Sequence, residues 1–91
     1  MGAGAGRVYA QAFGNVLKRR RARLGLSQEG LAEAADCHRT HVGFLERAEK
    51  VATLAVARRI AIALGTTLLR LVTEVEREFA RLGGDGGSAR K

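Results

Sequence analysis

The chain has 91 residues, no proline, one cysteine and a formal charge of +7, from 16 Lys and Arg against nine Asp and Glu. This length makes one small domain. The lone cysteine excludes an internal disulfide and fits a reducing compartment. The longest uncharged runs, residues 8–17 and 60–69, are too short to span a bilayer. Charge is uneven along the chain: residues 1–26 carry six basic side chains and no acid, whereas residues 27–50 carry three basic and five acidic ones. A positive N-terminal third suits a polyanionic partner or, equally, a solvated helix face.

Residues 1–7, rich in Gly and Ala, read as a flexible arm without the apolar core of a signal peptide. Arg7 in that arm is either idle or reaches a phosphate or a minor groove. Residues 8–24 predict the first helix, with Tyr9, Phe13, Val16, Leu17 and Leu24 as its buried stripe. Gly25 ends it, and Lys18, Arg19, Arg20, Arg21 and Arg23 crowd its last turns, where cations complement the helix dipole.

Residues 27–46, SQEGLAEAADCHRTHVGFLE, predict two short helices and a tight turn. Ser27 is the N-cap of the first, which runs from Gln28 to about Ala35, and Gly30 weakens it. Leu31 and Ala35 share one face of it. The second runs from about Arg39 to Glu46, and Val42 and Leu45 face inward together. Its outward positions are Arg39, Thr40, Gly43, Phe44 and Arg47: a fork donor, a hydroxyl, a bare backbone and a ring, which suit contact with a partner. Cys37, His38 and His41 lie close together but lack a fourth ligand, so no metal site is expected; a free Cys here behaves as a small buried hydrophobe.

Residues 53–64 predict the fourth helix, capped by Thr53, with Leu54, Ala57, Ile60, Ala61 and Leu64 toward the core and Arg58 and Arg59 outward. Residues 67–82 predict an extended fifth helix. Leu68, Val72, Val75, Phe79 and Leu82 recur on it as a heptad-like stripe. A second copy of the chain is expected to cover that stripe; folding back onto the first helix is the alternative. Residues 83–91 read as a disordered tail with a basic end.

The pattern S-Q-x-x-L-A-x-x-A, a turn, then V-x-x-L-E resembles the helix-turn-helix of lambda-repressor-like, Cro-type (XRE family) DNA-binding regulators. Phe13-Gly14, Leu17 and Arg21 upstream and Ile60-Ala61 and Ala63-Leu64-Gly65 downstream extend the likeness over about residues 13–72. Three positions depart from the family pattern: Asp36 at the turn, His38 at the N-cap of the second helix, which is expected to fray there, and Ala48 after the Glu-Arg pair. The resemblance implies an all-α, compact five-helix domain over residues 8–82. It also implies that Arg21 pairs with Glu46, locking the first helix to the recognition helix, and that Gln28 offers its amide to a phosphate. Arg39, Thr40 and Phe44 fall where the family contacts bases: Arg suits guanine, Thr a base or a thymine methyl, and Phe apolar contact only. Arg47 and Lys50 suit phosphates, His41 could donate to one, and Gly43 leaves room for the sugar-phosphate wall.

The expected function is a sequence-specific regulator of transcription on double-stranded DNA, acting as a cytoplasmic, nucleoid-associated homodimer on an inverted repeat, with repression as the default outcome. The alternatives are an antitoxin with a small toxin partner and a restriction–modification controller. Neither a catalytic arrangement nor a phosphate-cradling loop is evident, so neither an enzyme nor a cofactor is expected.

Overall fold

A computed structural model describes residues 2–84. Five helices follow in order: α1 (Gly2–Arg23), α2 (Gln28–Ala34), α3 (Arg39–Glu46), α4 (Leu54–Ala63) and α5 (Leu68–Arg81), and among the described residues there is no strand. α2, α3, α4 and α5 lie where the sequence puts them, to within a residue at each end. α1 differs. It begins at Gly2, so the expected arm over residues 1–7 is helical from its second residue. No proline interrupts it, and lengthening an existing helix avoids the unfavourable nucleation step. Most of the expected tail, from residue 85 on, lies outside the described residues.

The starts of α2, α3, α4 and α5 are capped by side chains. Ser27, Thr53 and Thr67 accept from the backbone N–H three residues on, at 2.9, 3.1 and 3.1 Å. His38 caps α3 one position earlier: its Nδ1 accepts from the Thr40 N–H, two residues on, at 3.1 Å. The expected fraying of α3 is therefore countered, because an imidazole nitrogen supplies the acceptor that Ser or Thr would give.

All five helices stop in the same way. The residue after the C-cap adopts positive φ, at Gly25, Asp36, Ala48, Gly65 and Gly83. The residue beyond it donates back across the last turn, as in Leu26 N–H to Arg21 O at 3.1 Å and Glu49 N–H to Phe44 O at 2.8 Å. Two of these corners use a residue with a side chain: Asp36 at φ 58° and Ala48 at φ 61° flank α3 on either side.

The core has two parts. One joins Leu17 of α1 to Leu31, Ala32 and Ala35, to Val42 and Leu45 of α3, and to Ile60 and Leu64 beyond. The other joins Ala12 and Val16 of α1 to Ala61 of α4 and to Leu71, Val75 and Phe79 of α5. Tyr9 and Phe79 meet edge to face with centroids 5.0 Å apart. α1 and α5 thus run antiparallel along their length.

This packing corrects the assignment of an intermolecular stripe to α5 at two of its five positions, Val75 and Phe79. Val75 and Phe79 are buried by α1 of the same chain, and Leu82 packs against the same cluster. Leu68 and Val72 are half-buried. Two further expectations fail. Leu24 is exposed because it is the C-cap position, past the last buried turn of α1. Leu54, the first residue of α4, is 75% exposed.

A polar seam runs beside the apolar one. Glu78, buried to 4% exposure, accepts from Asn15 of α1 at 2.9 Å and from Arg81 at 2.7 Å. Glu74 accepts from Arg20 at 2.6 Å and Arg19 at 3.2 Å. The Tyr9 hydroxyl donates to Glu76 at 2.6 Å. Two of the six cations of α1, Arg19 and Arg20, are therefore engaged by α5.

Candidate nucleic-acid interface

α2 and α3 cross over a two-residue-tight corner, because Asp36 in the left-handed region turns the chain at once. The Cys37 N–H closes the corner on the Ala32 carbonyl at 2.9 Å. Burial pushes the Cys37 thiol above its ordinary pKa, consistent with its packing against the first core cluster. Arg59 of α4 donates to the Ala35 carbonyl at 3.0 Å. That contact satisfies a helix-end carbonyl and ties α2 to α4, although the pattern placed Arg59 simply outward.

α3 is pinned from behind. Arg21 Nε donates to Glu46 Oε2 at 2.6 Å and Nη2 to Oε1 at 3.0 Å, while Nη1 donates to the Leu26 carbonyl at 2.8 Å. The fork geometry implied by the resemblance is thus present. Gln28 is a third member: its amide donates to Glu46 Oε1 at 2.9 Å. Of its two amide hydrogens, only the second is left to offer a phosphate. Gly14 completes the fixing. A Cβ there would lie 2.6 Å from the Leu45 carbonyl oxygen and 2.7 Å from that of Glu46, so α1 touches the last turn of α3 backbone to backbone. The pattern includes Gly14 without revealing this contact, which depends on how the two helices cross.

The outer face of α3 exposes Arg39 and Thr40 to solvent and His41 and Phe44 in part. Thr40 and Phe44 are one turn apart and share that face. Arg39 leans toward Glu29 of α2, Nη1 to Oε1 at 3.5 Å, with both groups well exposed; an exposed pair of this kind is weak and readily exchanged. The sequence pattern does not flag Glu29, since the two lie ten positions apart on different helices.

Gly43 differs from expectation. It is buried, and the space a Cβ would enter is taken by Arg47 Nη1 at 3.1 Å and the Gln28 amide oxygen at 3.6 Å. The groups that use this room in the structure are side chains of its own chain. At the C-terminal end of α3, Arg47 and Lys50 each set a cation 5.5 Å from the Phe44 ring centre, and Arg47 also pairs with Glu49 at 3.1 Å.

The site is therefore a short helix fixed rigidly at its back, with a guanidinium, a hydroxyl and a ring on its front and two cations at its far end. The two helices and the corner between them form the helix-turn-helix of a DNA-binding regulator of transcription. The chain belongs to the HTH_3 helix-turn-helix family, which matches residues 17–71. It is 36% identical over 67 residues to the control protein C.MunI of a Mycoplasma species, covering 72% of this chain and 90% of that one. It is 46% identical over 48 residues to the control protein C.SmaI of Serratia marcescens, covering 53% and 57%. The fold is similar to that of the clp gene regulator ClgR from Corynebacterium glutamicum, with a TM-score of 0.77 and 26% identity over 90% of this chain and 87% of that one.

Among the described residues, no group of three or more His, Cys, Asp and Glu could hold a metal ion, and no helix is long and apolar enough to cross a membrane.

Proposed function

We propose that the protein is a homodimeric repressor that reads an inverted-repeat operator through α3. Arg39, Thr40 and Phe44 give base preference, and Gln28, His41, Arg47 and Lys50 hold phosphates. The observation that carries this reading is the exposure of Arg39 and Thr40 on a helix whose opposite side is locked by Arg21, Glu46 and Gly14. A rigid mount loses little entropy on binding. A two-fold axis would set the two α3 helices about 34 Å apart, in successive major grooves. Such a regulator works in the cytoplasm, on the nucleoid.

The pairing surface proposed here leaves out Val75 and Phe79 of the α5 stripe, which the chain buries itself, and keeps Val72. It is the apolar cleft between α1, α4 and α5 lined by Tyr9, Phe13, Ala57 and Val72 and rimmed by Val51 and Leu54, both 75% exposed. Lys50 lies on the same rim. Leu54→Asp should give monomers in light scattering; a persistent dimer would place the contact elsewhere.

The likeness to two control proteins favours, as a second reading, a controller of the restriction–modification kind working through the same DNA contacts. The main reading is tested by selecting bound sequences from a random duplex pool. An inverted repeat should emerge, and Arg39→Ala should lower the preference for it while leaving much non-specific binding. An unchanged specificity ratio would remove α3 from base reading.

A further inference from the structure

Because α1 is helical from Gly2, Arg7 is not on a free arm. It lies in an open cleft of about 500 Å³ between the first turns of α1 and the corner after α3, together with Gln11, Arg47, Glu49 and Lys50. Three cations and one carboxylate meet there, from two segments of chain 40 residues apart. Glu49 is engaged by Arg47, with both groups about half exposed, and such a pair is easily exchanged for a stronger anion. Arg7 is exposed and has no hydrogen bond or ion pair among the described residues. Through Arg47 and Lys50, which flank the Phe44 ring, the cleft continues from the end of the reading head.

We propose that this cleft is a phosphate clamp: Arg7 and Gln11 from α1, with Arg47 and Lys50, grip the DNA backbone where α3 leaves the major groove. Arg7 supplies a planar fork for a phosphate, Lys50 a point charge, and Gln11 an amide donor. The clamp carries no base preference, so it adds affinity equally to every sequence. It also fixes how far α3 reaches into the groove, since α1 meets α3 backbone to backbone at Gly14.

This inference rests on the DNA-reading role of α3, and its test separates the two. The full chain and its Arg7→Gln, Arg7→Lys and Arg39→Ala variants are titrated, at several salt concentrations, with a duplex recovered from the selection and with a random-sequence duplex. Arg7→Gln should weaken both complexes by the same factor and lower the magnitude of the log–log salt slope by about 1. Arg7→Lys should restore most of that slope, and the melting temperature of Arg7→Gln should match the parent. If Arg7→Gln keeps the parental affinity and slope while Arg39→Ala loses discrimination, the clamp is wrong and the reading head stands. A lowered melting temperature in Arg7→Gln would make Arg7 structural and also end the proposal. If the parent binds neither duplex, both readings fall.

Discussion

Gly14 of α1 and Leu45 of α3 approach so closely that a single added methyl would sit 2.6 Å from a carbonyl oxygen. Neither neighbour is a movable side chain tip; both atoms in the way, the Leu45 and Glu46 oxygens, are backbone. Gly14→Ala should force α1 and α3 apart and lose about 1–3 kcal/mol of stability, the usual range for overpacking. Denaturant melts would measure that loss. DNA binding should fall with it, because α3 shifts as a unit. A variant that melts like the parent would show that the two helices slide freely past each other.

The pair behind α3 makes a different prediction. Glu46 is 3% exposed at its side chain and accepts from Arg21 twice and from Gln28 once. Arg21→Ala strands that carboxylate with one amide, and a loss of roughly 3–5 kcal/mol is expected. Arg21→Lys should rescue little, since an ammonium cannot hold both oxygens and the Leu26 carbonyl in one plane. Thermal melts of the two variants decide it; full rescue by Lys would reduce the contact to a matter of charge.

Phe79 tests the corrected role of α5. It is packed on Tyr9 within its own chain, so Phe79→Ala should lower stability by about 3–5 kcal/mol before it alters any association. Melting curves and light scattering at the same concentration separate the two. A chain that stays folded and merely dissociates would return α5 to the interface.

That correction shows what periodicity can and cannot carry. The spacing of Val75, Phe79 and Leu82 identifies a face that must be covered, and it is covered; the period alone does not say by which helix. The α2–α3 pair was legible almost to the residue because Ser27, Gly30, Leu31, Ala35, Val42 and Leu45 fix caps and faces locally. The start of α1 is less legible, because its glycines read as flexibility while contact with the corner after α3 depends on neighbours far along the chain. The exposure of Leu54 and the covering of Gly43 are likewise tertiary. Both depend on what other helices bring near, and the rotamers of Arg47 and Gln28 decide the second.

Acid should weaken the α1–α5 seam at a definite place. Hydrogen bonds from Arg81 and Asn15, with the charges of Arg81 and Arg19, outweigh burial and hold the Glu78 carboxyl at about 2, against an ordinary 4.5. Burial pushes Glu74 upward, but hydrogen bonds from Arg20 and Arg19, with their charges, bring it below its ordinary value. Both groups bind protons less readily when folded, so their contribution is complete above the unfolded range and is lost as pH falls from about 4.5 toward 2. Melting temperature followed over that window should drop, and Glu78→Gln should flatten the drop. An equal slope in that variant would assign acid sensitivity to other carboxylates.

The two corners that bracket α3 are built on Asp36 and Ala48, each held in a backbone region that a side chain disfavours by roughly 1–2 kcal/mol. Glycine at either point would relieve that strain without touching Arg39, Thr40 or Phe44. On the proposed reading, robustness and sequence preference lie at separate positions: a sturdier version should keep the same DNA preference when only the joints on either side of α3 are altered.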